Sequence, residues 1–521
     1  MKTFTGKSTI RESFPDLLFD ESRFTSGVPR KLFFPRSHAD VVAMAREASS
    51  FGAPLAIIGA QTGITGGGVP IEDCMAVSFS EMNAIERVDW SDPASPVLHC
   101  QPGVTLADIA GFLEAPSQRA GDVEGADSLT AREWLYPPDP TEMTAQLGGT
   151  AATNASGARS FFFGPTRGHV SALSLVLADG ESAVIERGRS PERNGVLTFT
   201  STGGRAFRLK RPAYESVGVK NASGYFSKSD MDLIDLFIGS EGTLALFTGI
   251  GIRLVKAPCF MGGMSFFQTR QDAFGFASFL RGETGVAAIE YFDESALRFA
   301  RSAGTSGGRE LPAYPEGARA AVYWEYMETP AAPFEQRMDA WEEALAAGSS
   351  SFNATWSGFD ASEMELLKKI RHGVPEMINA RIAAYKRDCP SIRKISTDAA
   401  YPAEHFSIAI EESIERIEKA EINYALFGHL GDYHLHFNLL PRNADQLRRA
   451  LEVYDRIMDL TIKLGGTVSA EHGIGKIKTR YLTKMYGENA LREMARIKSE
   501  LDPRWALSRG NLFERLPHNI L

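Results

Sequence analysis

Residues 58–70 read IGAQTGITGGGVP and directly follow the apolar run Leu55–Ile58. A short apolar run that ends in glycines predicts a buried strand followed by a turn. The glycines at positions 59, 63, 66, 67 and 68 allow consecutive backbone N–H groups to converge on one anion. The stretch therefore predicts a strand followed by a phosphate-binding loop, and a plain glycine-rich turn is the alternative interpretation.

Two common nucleotide-binding patterns do not fit this chain. The G-x-G-x-x-G fingerprint of dinucleotide-binding folds is absent from the loop, and Gly6-Lys-Ser8 lacks the upstream glycine of a P-loop. The sequence therefore supports neither a Rossmann domain nor a nucleoside-triphosphatase.

Strands and helices alternate on both sides of the glycine loop. Residues 31–35 predict a short strand, Ser37 a helix N-cap, and Gly52 the end of that helix. Further apolar strands are predicted at residues 75–79, 97–100, 173–177 and 244–255. The first half of the chain is thus predicted to be an α+β unit.

The pattern changes near Lys256, where we expect a domain boundary. Beyond it, strands are predicted at 261–267 and 319–326. Amphipathic helices are predicted at 271–282, 333–347, 361–386 and 403–419. Residues 301–317 are rich in Gly, Pro and Ser and are expected to form a mobile loop.

Length and composition exclude several classes of protein. A chain of 521 residues, 43% hydrophobic and 23% charged, is expected to fold into roughly two to four globular domains. A net charge of −9 gives no general attraction to nucleic acid. The four cysteines are far apart and predict neither a disulfide framework, an iron–sulfur cluster nor a zinc ribbon. Without a signal sequence or an apolar run of roughly 18 residues, we expect a cytoplasmic protein that has no transmembrane segment.

Other segments are also rich in small residues. Between residues 144 and 158, twelve of fifteen positions are Gly, Ala, Ser or Thr. Small side chains let the backbone pack closely against a flat group, or alternatively against another helix or strand. Related stretches are Tyr136-Pro-Pro-Asp-Pro140, Asn154-Ala-Ser-Gly157, Gly164-Pro-Thr166, Lys220-Asn-Ala-Ser-Gly-Tyr225 and Ile238-Gly-Ser-Glu-Gly-Thr-Leu244.

In order and spacing, these segments resemble the FAD-binding domain of the vanillyl-alcohol oxidase superfamily, also called the p-cresol methylhydroxylase type. The resemblance implies two α+β subdomains that enclose FAD, with the pyrophosphate on residues 59–67 and the isoalloxazine ring near residues 139–166. It also implies an α+β substrate (cap) domain with an antiparallel sheet. The implied division is an N-terminal lead at 1–29, a FAD-binding domain at 30–256, a substrate- and metal-binding cap at 257–480, and a C-terminal segment at 481–521 that returns to the FAD domain. The implied FAD-binding residues are Ile58, Gly59, Ala60, Gln61, Thr62, Gly63, Gly66, Gly67, Pro138, Asp139, Gly148, Gly149, Asn154, Gly157, Gly164, Thr166, Glu241, Gly242 and Asn511.

The resemblance also bears on how the flavin is held. Superfamily members that bind flavin covalently use a histidine in the first glycine loop. No histidine lies between Ile57 and Pro70 in this chain. We therefore expect FAD to be bound noncovalently.

A cluster of histidines in the second half carries the clearest chemical signal. Residues 428–438 read GHLGDYHLHFN. Period-two alternation places His434, His436 and Asn438 on one face of a strand, and His429 arrives from the preceding turn. With Glu471 from the segment SAEHGIG, these imidazoles would suit Zn, Mn, Fe or Co, although a single strand histidine is more often structural.

The second half resembles one branch of the superfamily, the FAD-linked D-2-hydroxy-acid dehydrogenases, which act on D-lactate, glycolate or D-2-hydroxyglutarate. By this resemblance, His429, His436 and Glu471 are the ligands of a divalent metal. Asn438 contacts the substrate and His472 is the catalytic histidine. The branch usually has Gly-Asn where this chain has Tyr433-His434, so His434 is an extra ligand, a substrate contact or a group that holds a ligand in place.

Two cations in this half are candidates for binding an anionic substrate. Arg371 lies on a predicted helix and resembles the arginine with which the branch binds carboxylates, for which its planar fork is suited. Lys394 resembles a lysine of the branch only loosely. A solvated surface cation is the alternative for each.

Together these features predict a FAD-dependent dehydrogenase that oxidises a D-2-hydroxy acid to the 2-oxo acid by hydride transfer, with help from a metal. Its electrons would pass to an external acceptor, namely a quinone, a cytochrome or an electron-transferring flavoprotein. Peripheral contact with the inner face of a membrane is compatible with such an acceptor. The alternatives are a non-catalytic FAD-binding subunit of a larger oxidase, or an alcohol oxidase on the same scaffold.

Overall fold

Helices and strands fall largely where the apolar patterns predict them. This computed structural model describes residues 1–118, 121–303, 314–329 and 333–513. Its helices are α1 (Lys7–Ser13), α2 (His38–Ser50), α3 (Leu106–Glu114), α4 (Leu147–Thr153), α5 (Ser160–Phe163), α6 (Thr166–His169), α7 (Leu233–Phe237), α8 (Arg270–Arg281), α9 (Glu294–Ala303), α10 (Met338–Ala347), α11 (Ala361–Asp388), α12 (Ala403–Lys419), α13 (Ala444–Lys463) and α14 (Thr479–Leu501). Its strands are β1 (Lys2–Thr5), β2 (Lys31–Phe34), β3 (Leu55–Ile58), β4 (Met75–Ser78), β5 (Ile85–Asp89), β6 (Val97–Cys100), β7 (Trp134–Leu135), β8 (Val170–Val176), β9 (Ser182–Glu186), β10 (Val196–Thr200), β11 (Ala206–Lys210), β12 (Leu246–Arg253), β13 (Val255–Lys256), β14 (Cys259–Phe267), β15 (Val286–Asp293), β16 (Ala320–Glu328), β17 (Trp356–Gly358), β18 (Ile395–Ser396), β19 (Ala399–Ala400), β20 (Tyr424–Gly428) and β21 (His434–Leu439).

The differences from the predicted elements lie mainly at their ends. The first three residues of the predicted loop 301–317 are helical, because α9 continues to Ala303. The helix-breaking glycines of that segment begin only at Gly304. Residues 304–313 of that loop lie outside the described residues. The predicted helix 333–347 begins with a 3-10 turn at Phe334–Arg337 before α10. No helix in the described part of the chain combines the length and the apolar composition needed to cross a bilayer.

The N-terminal sheet presents the first glycine loop. Its strand order is β1-β2-β4-β3, and β4 runs parallel to both β2 and β3. The crossover helix α2 starts at Ser37, whose Oγ accepts the Asp40 N–H at 3.2 Å. Its apolar face packs in one cluster with the sheet. The loop at 59–68 therefore leaves the carboxyl end of β3, the edge at which open α/β sheets bind ligands.

A distant segment completes this sheet. The Leu55 N–H donates to the Ala506 carbonyl at 2.8 Å, and the Ser508 N–H donates to the Leu55 carbonyl at 2.9 Å. Asn511 thereby reaches the glycine loop, where its Nδ2 donates to the Gly67 carbonyl at 3.0 Å. The end of the described chain thus folds back onto its beginning.

A second, antiparallel sheet has the order β5-β6-β12-β8-β9. Val176 of β8 and Leu246 of β12 belong to the same apolar cluster as the N-terminal sheet. The two sheets therefore share a core. The helix α4 lies in the small-residue segment 144–158 and supplies part of the surface that faces the glycine loop.

The second half is built on an antiparallel sheet of order β17-β14-β16-β15-β20-β21-β18, with β19 also paired to β21. One face packs against α9 and α11. The other face packs against α8, α10, α12 and α13. Strand β21, with the histidines, is therefore held inside the layered structure, and each of its six residues is buried.

Candidate active site

A cavity of about 320 Å³ lies between the first glycine loop and α4. Several segments that are distant in the sequence meet there. Of the predicted FAD-binding residues, those that line it are Ile58, Gly59, Gln61, Thr62, Gly63, Gly67, Gly148, Gly149, Glu241, Gly242 and Asn511. Lining residues outside the predicted FAD-binding set include Asp20, Thr65, Phe79, Gln146, Thr153 and Ser156. The cavity also reaches Glu471 and His472 of the second half.

The other predicted FAD-binding residues do not line this cavity. They are Ala60, Gly66, Pro138, Asp139, Asn154, Gly157, Gly164 and Thr166. Gly157 permits a close backbone approach, because a Cβ there would lie 1.7 Å from the Asp139 carbonyl oxygen. Asn154 ends α4 in a left-handed conformation, and its Oδ1 accepts the Arg167 N–H at 2.9 Å.

The cavity has features that fit a flat, anionic cofactor. Gly149 lines it, and a Cβ at that position would meet no protein atom within 4 Å. The second half closes over the glycine loop through Lys476, whose Nζ donates to the Gly66 and Gly67 carbonyls at 3.1 Å. Burial lowers the pKa of Lys476 to about 8. Among the described lining residues, none is a cysteine and His472 is the sole histidine.

Next to the cavity, three histidines and a glutamate form a compact buried cluster. Each of His429, His434, His436 and Glu471 offers one ligand atom, and these atoms all lie within 4.8 Å of one another. His429 Nε2 lies 3.2 Å from Glu471 Oε2, and His436 Nε2 lies 3.9 Å from the same oxygen. Such a set of donors suits a divalent transition metal.

The far nitrogens of two of these rings are held by other groups. His429 Nδ1 is hydrogen-bonded to Glu290, and His436 Nδ1 lies 2.9 Å from the Thr397 carbonyl oxygen. Each ring is thereby oriented with Nε2 toward Glu471. Metal-binding histidines are usually fixed in this way, by a carboxylate or a backbone carbonyl on the other nitrogen.

Glu290 links the cluster to Arg371. The Arg371 Nε–H donates to Glu290 Oε2 at 2.8 Å, and both side chains are buried. Burial alone would raise the pKa of Glu290 and lower the pKa of His429. The charge of Arg371 outweighs burial and lowers the pKa of Glu290. The charge of Glu290 in turn raises the pKa of His429 to about 9. Arg371 Nη1 also lies 3.9 Å from Asp139. The predicted carboxylate-binding arginine thus already has a buried carboxylate partner, which the sequence did not reveal.

A lysine from the first half enters the cluster as well. Lys220 Nζ lies 2.6 Å from Glu471 Oε1 and 3.1 Å from Asp432 Oδ2, and its side chain is buried. The sequence drew attention to the segment 220–225 only for its small residues. The lysine with which that segment begins was the available signal.

His472 lies at the boundary between the cluster and the cavity. Its Nδ1 is 3.0 Å from Asp398 Oδ2, and its side chain is 31% exposed. Asp398 is buried and accepts hydrogen bonds from the Ser469 hydroxyl at 2.7 Å and from Lys478 Nζ at 3.0 Å. Because Nδ1 faces this carboxylate, Nε2 is the nitrogen left for a bound molecule.

Of the two remaining predicted residues, Asn438 lies on the same strand as the cluster histidines, whereas Lys394 lies outside the site. Asn438 follows His436 on β21, is 1% exposed, and its Oδ1 has no hydrogen-bond partner in the described structure. Lys394 precedes β18 and is half-buried, and its Nζ donates to Asn379 Oδ1 at 3.3 Å. Burial lowers the pKa of Lys394 to about 8. Lys394 belongs neither to the ligand cluster nor to the cavity lining.

Comparison with known proteins identifies both halves. Residues 29–125 and 123–185 match the model of a FAD binding domain. Residues 263–512 match the model of the C-terminal domain of FAD linked oxidases. Together the two models cover most of the chain, with the FAD-binding domain first and the C-terminal domain after it.

Several named proteins are similar over nearly the whole length. Glycolate oxidase subunit GlcD of Bacillus subtilis is 25% identical over 504 residues, which are 95% of this chain and 92% of the relative. D-2-hydroxyglutarate dehydrogenase of Danio rerio is 27% identical over 527 residues, 100% of this chain and 84% of the relative. D-lactate dehydrogenase of Archaeoglobus fulgidus is 27% identical over 484 residues, 92% and 91% of the two chains.

Solved structures share the fold at lower identity. The 4-ethylphenol oxidase of Gulosibacter chungangensis superposes with a TM-score of 0.63 at 14% identity, covering 100% of this chain and 95% of that one. An alkyldihydroxyacetonephosphate synthase gives 0.61 at 15% identity, covering 94% and 81%. The two-part α+β architecture predicted from the sequence is thereby confirmed. The chain belongs to the FAD-linked oxidase family and is a FAD-dependent oxidoreductase with a p-cresol methylhydroxylase-type cofactor domain.

Proposed function

We propose that this protein is a FAD-dependent dehydrogenase that oxidises a D-2-hydroxy carboxylic acid to the 2-oxo acid with the help of a divalent metal. One observation carries the proposal: the buried cluster of His429, His436 and Glu471 lies directly beside His472 at the edge of the cofactor cavity. A site of this kind brings a metal, a base and a flavin to one substrate carbon. The names of the similar proteins, which act on glycolate, D-lactate and D-2-hydroxyglutarate, support the same substrate class.

The charges around the cluster support a metal. Among the described residues there, each buried cation already has a carboxylate: Arg371 has Glu290, Lys220 has Glu471, and Lys478 has Asp398. An incoming substrate carboxylate would therefore add an unbalanced buried charge, which is costly. A divalent cation on His429, His436 and Glu471 would remove that imbalance. Zn, Mn and Fe all accept this combination of nitrogen and oxygen ligands.

The protein's own residues have distinct roles in the proposed reaction. Asn438, with its unpartnered Oδ1 next to His436, and the terminal nitrogens of Arg371 orient the substrate. His472 takes the proton of the substrate hydroxyl, and Asp398 stabilises the resulting positive charge. When bound, the metal supplies a Lewis acid that lowers the pKa of the hydroxyl, and FAD supplies the acceptor for the hydride that leaves the substrate carbon. The proton and the hydride together account for oxidation of the alcohol to the ketone.

Noncovalent binding of FAD is part of the proposal. The lining of the cavity supports it, because His472 is the one histidine there among the described residues and is needed as a base. We assign reoxidation of the flavin to an external quinone, cytochrome or electron-transferring flavoprotein. The half-reaction with substrate does not depend on which of these acceptors is used.

The decisive test is an anaerobic flavin-reduction screen. Purified protein is mixed with D-lactate, L-lactate, glycolate and both enantiomers of 2-hydroxyglutarate, and the flavin absorbance is followed, with metal analysis of the same sample. We expect bleaching with at least one D-acid or glycolate, and faster bleaching by D- than by L-enantiomers. Bleaching by aromatic primary alcohols alone would favour an alcohol oxidase. A flavin that no donor reduces would favour a non-catalytic subunit.

A further inference from the structure

His434 is a buried histidine whose ring nitrogens make no hydrogen bond in the described structure. Its side chain is 0% exposed, and neither Nδ1 nor Nε2 has a hydrogen-bond partner in the described structure. Buried polar atoms normally find a partner, because leaving one unsatisfied in a protein interior is costly. At least one ring nitrogen of His434 is therefore available to a group that the described residues do not supply.

Its surroundings point toward the ligand cluster. The ring centroid of His434 lies 4.4 Å from that of His436 and 5.3 Å from that of His429. One ring nitrogen is within 4.8 Å of the ligand atoms of His429, His436 and Glu471. Because residues two apart on a strand share a face, β21 presents His434 and His436 on the same side.

Asp398 accounts for only one of the two ring nitrogens. His434 Nε2 lies 3.1 Å from Asp398 Oδ1, although the ring is not aligned for a hydrogen bond. The other oxygen, Oδ2, already accepts hydrogen bonds from the Ser469 hydroxyl, Lys478 Nζ and the backbone N–H of His472, whereas Oδ1 accepts the Glu471 backbone N–H at 3.2 Å. A small rotation would let Nε2–H donate to Oδ1, which would leave Nδ1 with a lone pair and no donor. A carboxylate on one nitrogen and a metal on the other is the usual state of a metal-binding histidine.

We propose that His434 is a third imidazole ligand, so that this chain holds its metal with three histidines and one glutamate. The inference rests on the proposed function, since it requires the metal centre. Four protein ligands leave fewer open positions for substrate than three, and an added imidazole favours Zn²⁺ or Co²⁺ over Mn²⁺. The selectivity of this chain for its metal would therefore depend on His434.

The first measurement uses the wild-type holoenzyme. The protein with FAD bound is stripped with a chelator, reloaded with Zn²⁺, and examined by X-ray absorption at the metal edge. We expect scattering from three imidazoles. Two imidazoles on a fully loaded ion would overturn the role of His434 and leave the proposed metal centre intact. A chain that retains no metal after reloading would overturn the metal centre and this inference with it.

The second measurement compares variants by Co²⁺ titration, followed through the visible absorption of the bound ion. His434→Asn should weaken Co²⁺ binding by at least about 10-fold. Loss of a residue that only hydrogen-bonds to a metal ligand already weakens binding by about this factor, and loss of a ligand itself should cost more. It should also reduce the preference for Zn²⁺ over Mn²⁺ in competition. His169→Asn is the matched control, because His169 is a buried histidine of the first half that bonds to the Phe163 carbonyl. Equal Co²⁺ affinity and spectra in the wild type and His434→Asn would refute the proposal.

Discussion

Lys220 and Glu471 form a buried ion pair, with Nζ 2.6 Å from Oε1, and they come from different halves of the chain. The partner of Lys220 is also a proposed metal ligand. The strength of this contact between the two halves therefore depends on whether Glu471 is charged and whether it holds a metal. In the metal-free protein, Lys220 is the cation closest to this carboxylate among the described residues.

Replacing Lys220 by Met should be strongly destabilising. The change removes the nearest cation of Glu471, leaving His429 as its remaining partner, and also takes the cation from Asp432. Removing one partner of a buried ion pair costs about 3–5 kcal/mol. We expect a corresponding loss in the urea midpoint of chelator-treated protein. The double variant Lys220→Met with Glu471→Gln should recover much of that loss. As a control, Lys419→Met removes an exposed helical pair with Glu415 and should change stability by no more than about 1 kcal/mol.

Replacing His472 by Ala should slow flavin reduction by about 10²- to 10⁴-fold, the range expected for loss of a general base. Metal content and FAD occupancy should stay near those of the wild type, because His472 lies outside the cluster of His429, His434, His436 and Glu471 that is proposed to hold the metal. His436→Ala should lose metal and activity together. Stopped-flow reduction by substrate, with metal and flavin analysis of each variant, separates the two effects. A His472→Ala protein that keeps both cofactors and reduces flavin at nearly the wild-type rate would refute the assignment.

Replacing Gly149 by Leu should deplete FAD. A Cβ at this cavity-lining position would meet no protein atom within 4 Å, so we expect the rest of a leucine side chain to enter the space that the cofactor needs. Gly275→Leu is a matched control, since Gly275 also lies in a helix with open space around it, on the exposed side of α8. We expect the ratio of flavin to protein absorbance to fall sharply for Gly149→Leu and to stay unchanged for Gly275→Leu. Equal flavin content in both would exclude this wall of the cavity as the cofactor site.

FAD should be released intact by acid. Purified protein precipitated with trichloroacetic acid should leave yellow supernatant, and chromatography of that supernatant should identify FAD. The reason is that the described cavity lining offers no cysteine, and its one histidine is assigned to catalysis. Flavin that stays with the washed pellet would contradict noncovalent binding.

Replacing Lys394 by Met should stabilise the protein near neutral pH. Burial lowers the pKa of Lys394 from 10.5 to about 8 in the folded protein, so the unfolded chain binds this proton more tightly. The cost of burying the charge is complete below about pH 8 and disappears as the pH approaches 10.5. We expect a gain of about 1–3 kcal/mol at pH 7 that shrinks toward zero by pH 10.5. Lys386→Met, on the exposed side of α11, should change stability by no more than about 0.5 kcal/mol at either pH. A gain for Lys394→Met that is constant with pH would contradict this account.

The amino-acid sequence predicted the parts of the molecule that local patterns encode. Four apolar residues ahead of a run of glycines predicted β3 and its loop, and Ser37 predicted the start of α2, because capping and strand periodicity depend on neighbours in the chain. Alternation along β21 likewise predicted that His434 and His436 share one face, since side chains two apart on a strand point the same way. The resemblance to the FAD-linked oxidases followed from the order of such local segments.

The partners of these residues depend on tertiary packing. Glu290 lies 139 residues before His429, in a strand that otherwise reads as ordinary apolar core, and its bond to Arg371 exists only because β15 and α11 pack together. The roles of Lys220 and Asp398 could not be predicted for the same reason. A buried charge is stabilised by whatever opposite charge the packing of distant elements brings to it, and no local pattern records that partner. The sequence alone thus specified the glycine loops and the histidines of the site, whereas the packing of the two halves brought Glu290, Lys220 and Asp398 to them and set how each group is oriented and paired.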